Sequence, residues 1–61
     1  MPAITMELAK LPREKKAKLV KTVTDAVVEA TGIDAGHIFV FIKENEPDNI
    51  GVGGKLLDEN R

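Results

Sequence analysis

Few residues of this 61-residue chain could carry chemistry, and the most suggestive is the second. A small residue in second place permits removal of Met1, which would leave Pro2 with a free secondary amine on a rigid ring. An unperturbed α-amino group titrates near about 7.7–8.0. Modest desolvation or neighbouring cations bring it close to neutrality, where a general base works best. The plainer reading of Pro2 is the first position of a strand, where no hydrogen-bond donor is required.

The other candidates are weaker. His37 stands alone, and a chain with no Cys and no Ser offers no nucleophile for it to activate. Glu44, Glu46 and Asp48 could pair as acids, but they fall in a polar stretch around Pro47 and read as a solvated loop. Gly51-Val52-Gly53-Gly54-Lys55 has neither the GxxxxGK[ST] spacing nor a GxGxxG helix opening, so it reads as turn geometry rather than a phosphate loop. Lys15, Lys16, Lys18 and Lys21 share their helix with acids and lack interleaved aromatics, which describes a solvated face.

Composition narrows the field further. Nine Lys plus Arg against ten Asp plus Glu gives a net charge of −1, unlike a general binder of nucleic-acid phosphates. No apolar run approaches the roughly 18 residues of a membrane span, and the first residues lack the pattern of a signal peptide. The expectations are a cytoplasmic protein with no nucleic-acid or membrane partner. With no Cys and one His, neither disulfides nor an ordinary zinc site can staple the fold. A chain of this length buries only about 60% of its unfolded surface. Self-association is the remaining remedy.

The elements that must position these residues can be read from periodicity. Residues 3–8 alternate, with Ile4, Met6 and Leu8 on one side, as in a half-buried strand. Lys10-Leu11-Pro12 ends it. A helix is expected over about 13–31, with Leu19, Val20, Val23, Ala26, Val27 and Ala30 as its apolar stripe and Gly32 as its stop. A second strand, roughly 37–43, is apolar on both sides: Ile38, Val40 and Ile42 on one, Phe39 and Phe41 on the other. One helix can cover only one face, so the Phe39/Phe41 face should meet a second copy of the chain. Residues 50–57 read as a short hairpin and 58–61 as a polar tail. Strand, helix, strand implies a right-handed crossover with the two strands parallel.

Met1-Pro2 leading into the strand, Glu14-Lys15-Lys16 early in the helix, and Gly51-Val52-Gly53-Gly54-Lys55-Leu56 near the C-terminus together resemble the 4-oxalocrotonate tautomerase family, in its members of about sixty residues. The resemblance covers nearly the whole chain. It implies one tautomerase-like α+β domain over 1–61: a β-α-β subunit with a short C-terminal hairpin, its sheet completed by oligomerisation into a homohexamer built as a trimer of dimers. It further implies that Pro2, freed of Met1, is the catalytic base and then acid for a small α-keto acid or enol, with no cofactor and no metal.

The family's arginines are not carried over intact. The strand-two arginine aligns with Phe39. The first arginine falls in a loop about one residue shorter here, nearest Leu11, with Lys10 beside it and Arg13 close. The family's pocket aromatic aligns with Ile50. The resemblance therefore assigns substrate contacts to Lys10, Arg13, Phe39 and Ile50, with Lys10 first for the carboxylate or oxyanion and Arg13 behind it. The expected activity is keto–enol tautomerisation, an isomerase reaction. The alternatives are dehalogenation or decarboxylation of a small unsaturated acid, and a non-catalytic oligomer.

Overall fold

The computed structural model describes residues 2–60; the expected removal of Met1 and the end of the tail at Arg61 lie outside them. Strand β1 (Ala3–Leu8) is followed by helix α1 (Arg13–Thr31), strand β2 (Phe39–Glu44) and a hairpin of β3 (Gly51–Val52) and β4 (Lys55–Leu56). The α+β, β-α-β expectation holds.

Pro12 sits immediately before α1 in an extended conformation, and its carbonyl accepts from the N–H groups of Lys15 and Lys16 at 3.1 Å each. At the other end Gly32 adopts φ 75°, and its N–H donates to the Val28 carbonyl at 2.8 Å. That left-handed conformation is cheap only for glycine, so the helix stops where the sequence says it should.

Strands β1 and β2 pair in parallel, with Ala3 opposite Phe39, Thr5 opposite Phe41 and Leu8 opposite Glu44. Ile4, Met6, Leu8, Val40 and Ile42 are half-buried on one face, while Ala3, Thr5, Phe39 and Phe41 are exposed on the other. The helix presents Leu19, Val20, Val23 and Val27 half-buried, as its stripe predicts. Ala26 and Ala30 are exposed instead, and Thr24 and Val28 take their share. The helix is rolled toward its bulkier β-branched residues, which fill more of the space over a two-stranded sheet than alanine does.

Two boundaries differ from expectation. His37 is not in the second strand but closes a 3-10 turn over Ala35–His37, set by the Asp34 carboxylate accepting from the Gly36 N–H at 3.1 Å. A local Asx turn here outcompetes strand extension. The segment Leu57–Asn60 is a further 3-10 turn rather than a loose tail, and the Glu59 carboxylate accepts from the Leu56 N–H at 2.8 Å. Between β3 and β4, Gly53 and Gly54 take φ 62° and 87°, the successive positive angles a two-residue hairpin turn demands.

The subunit is not closed on itself. Among the described residues none is fully buried, and Phe39 and Phe41 are 46% and 49% exposed. The exposed surface is 4907 Å², against roughly 3,900 Å² for a compact monomer of this mass. The radius of gyration is 14.9 Å, where about 10.5 Å would suit a self-contained domain of this length.

Candidate active site

Pro2 lies just before the first residue of β1 and is half-buried. The Phe39 N–H donates to its carbonyl at 3.0 Å, continuing the parallel ladder one step past Ala3. The Phe39 side chain projects to the uncovered face beside this end of the sheet. The structure therefore brings Pro2 and Phe39 together.

It does not bring the other expected contacts to them within one subunit. A strand of six residues spans about 20 Å, and Lys10 and Arg13 follow the far end of β1. Ile50 comes after the far end of β2, at the base of the hairpin, where its carbonyl accepts from the Leu57 N–H at 2.7 Å. Pro2 and Phe39 mark one end of the subunit; Lys10 and Arg13 mark the other.

At that far end the organising residue is Glu44, which the sequence suggests only as a solvated loop acid. One oxygen, Oε2, accepts from the Leu11 N–H at 2.9 Å and pairs with Lys16 Nζ at 3.1 Å. The hydrogen bond from Leu11, reinforced by Lys16 and by the charge of Lys10, holds the Glu44 carboxyl below its ordinary pKa. Parallel register was the available signal. If the ends of β1 and β2 are level, the last residue of β2 must face the loop that leaves β1. Next to it, Asn45 donates its backbone N–H to the Leu8 carbonyl at 2.9 Å and its Nδ2 to Glu7 Oε1 at 3.1 Å. Glu46 and Asp48 are exposed.

Arg13 has no acidic partner among the described residues. With Lys16, Ala17 and Val20 it lines an open groove of about 500 Å³ on the helix. Among these residues no cluster of three His, Asp or Glu could hold a metal ion, and no helix is long and apolar enough to cross a membrane.

Residues 2–60 match the sequence profile of a family described as "Tautomerase enzyme". The chain is 40% identical over 60 residues to a 2-hydroxymuconate tautomerase of Bacillus subtilis, covering 97% of each. It is 42% identical over 60 residues to a probable tautomerase of Lactiplantibacillus plantarum, covering 97% of this chain and 94% of that one. Its fold superposes with TM-score 0.88 on the crystal structure of YwhB, a homologue of 4-oxalocrotonate tautomerase, at 39% identity over 95% of this chain and 97% of that one.

Proposed function

Because this chain belongs to the tautomerase family, we propose that it interconverts the enol and keto forms of a small unsaturated α-keto acid, with the Pro2 amine carrying the proton. The observation that carries this reading is the hydrogen bond from the Phe39 N–H to the Pro2 carbonyl: the sheet fixes the proline backbone at the end of β1, level with an apolar residue of β2. Once Met1 is removed, Pro2 is a secondary amine on a fixed ring. An apolar neighbour disfavours its ammonium form and leaves it available as a base near neutral pH.

The reaction balances without any other group. The amine takes the proton of the enol hydroxyl, and the oxygen electron pair becomes the new carbonyl. The displaced π electrons accept a proton from the proline ammonium at carbon. A positioned cation would hold the substrate carboxylate and offset negative charge as it develops on oxygen.

In this reading that cation comes from a second copy of the chain. A two-fold axis that sets two subunits antiparallel places the far end of one, with Lys10 and Arg13, beside the Pro2 end of the other. The uncovered Phe39/Phe41 face, the surplus surface and the long shape all support association of this kind. Six copies built as a trimer of dimers is the arrangement the family resemblance suggests.

The test is kinetic. Protein whose N-terminal mass proves Met1 removal should speed ketonisation of phenylenolpyruvate, followed by loss of enol absorbance. Pro2→Ala, or a retained Met1, should remove most of that rate. Equal rates for all three would rule out Pro2 as the proton carrier.

A further inference from the structure

We infer that Glu44 is a positioning residue for substrate: from the end of β2 it holds the loop that carries Lys10 and Arg13, and leaves Arg13 as the cation available to a substrate carboxylate. This rests on the tautomerase reading above and adds to it a residue that touches neither the substrate nor Pro2.

The loop from Ala9 to Pro12 has little else to hold it. Pro12 has no N–H, and its carbonyl is taken by the first turn of α1. The Leu11 N–H goes to Glu44 Oε2 at 2.9 Å, across 33 residues of sequence. A hydrogen bond from an amide to a carboxylate is shorter and stronger than one between neutral groups. The same oxygen meets Lys16 at 3.1 Å, so a single atom of β2 gathers the loop and the first turns of the helix.

That oxygen also sorts the cations at this end. Lys16 is committed to the ion pair, and the charge of Lys10 is felt at the same carboxylate. Lys10 and Arg13 both stand outside the ion pairs of the described residues, and Arg13 differs from Lys10 in the shape of its charged group. Its planar guanidinium can meet a carboxylate with two parallel hydrogen bonds, which an ammonium cannot. This reverses the order in which the sequence ranks Lys10 and Arg13.

The experiment compares steady-state kinetics of Glu44→Asp, Glu44→Gln and Arg13→Ala with wild type, using phenylenolpyruvate and protein of verified N-terminus. Glu44→Asp keeps the charge but withdraws the oxygen from Leu11. It should raise KM at least about tenfold, the lower end of the scale of one charge-assisted hydrogen bond, with a smaller change in kcat because the loop acts on substrate binding while Pro2 carries the proton. Glu44→Gln keeps a neutral oxygen acceptor for Leu11 but gives up the ion pair with Lys16, and its KM should fall between wild type and Glu44→Asp. Arg13→Ala should raise KM at least as much as Glu44→Asp. Lys21→Ala, which breaks the Lys21–Asp25 pair on the outer helix face, should change nothing.

A wild-type KM in Glu44→Asp, a loss confined to kcat, or a Glu44→Gln as impaired as Glu44→Asp would overturn the inference. So would a wild-type KM in Arg13→Ala. Sedimentation and circular dichroism confirm that each variant keeps the wild-type assembly and fold. The Pro2→Ala control separates the two failures. If it is as active as wild type, the tautomerase reading falls; if it is inactive while Glu44→Asp is normal, only the role of Glu44 falls.

Discussion

The N–H of Phe39 donates to the carbonyl of Pro2 at 3.0 Å, so the proposed proton carrier and the apolar residue beside it are joined by the sheet itself. Their relative position is set by parallel pairing rather than by side-chain packing. Any substitution at Phe39 that spares the backbone should therefore leave Pro2 in place while changing its surroundings.

Phe39→Ser should admit water to the proline amine and raise its pKa toward the ordinary α-amino value, since desolvation disfavours the ammonium form. The free base is the active form, so the acid limb of the kcat/KM profile should move to higher pH. The measurement is a pH–rate series on wild type and variant. An unmoved limb would show that Phe39 does not tune the amine.

Pro2 and Arg13 lie at opposite ends of β1, which makes the site a shared one in our reading. Pro2→Ala and Arg13→Ala proteins, each impaired alone, should regain activity when unfolded together and reassembled. Random mixing in a symmetric oligomer restores about a quarter of the sites if each is built from two chains. No recovery in confirmed mixed oligomers would place both groups in one chain.

Phe41 lies next to Phe39 on the uncovered face, 49% exposed in the single subunit. Phe41→Lys would place a charge where the proposed neighbour must exclude water, and an unpaired buried charge is costly. Sedimentation should show a smaller species than wild type, with activity lost in parallel. A wild-type chain that sediments as a stable monomer would refute this role for the face.

Glu44 predicts an acid limb in stability. Its folded pKa is below the ordinary 4.5 because Leu11 donates to it and Lys16 and Lys10 face it; Glu7, nearby, is engaged with Asn45. A depressed carboxylate contributes stability above its unfolded pKa and loses it as pH falls through the folded one. Melting curves from pH 6 downward should show wild type losing ground below about 4.5. Glu44→Gln should be less stable at pH 6 and should lose less over the same interval.

The alternation of Ile4, Met6 and Leu8, the helix stripe ending at Gly32, and the paired glycines 53 and 54 made nearly every element legible in the sequence, because each rests on local geometry. His37 reads as strand in the sequence but lies in a turn, because the Asx turn at Asp34 competes with strand extension over the same residues. Glu44 reads as a solvated loop acid in the sequence because its partners, Leu11 and Lys16, are distant along the chain. Its carboxylate has a role only once parallel pairing sets Leu8 opposite Glu44.

The sequence by itself determined the β-α-β order and the presence of a face that one helix cannot cover, since these follow from periodicity and side-chain type, and it determined the family through its likeness to known tautomerases. Only the tertiary structure decided which candidate residues share an end of the subunit. The register of the parallel strands sets Phe39 level with Pro2, while Lys10 and Arg13 follow the other end of β1, about 20 Å away; residue spacing alone does not fix that register. It likewise decided that one carboxylate oxygen holds both loop and helix, because a hydrogen bond depends on where the folded chain brings donor and acceptor together.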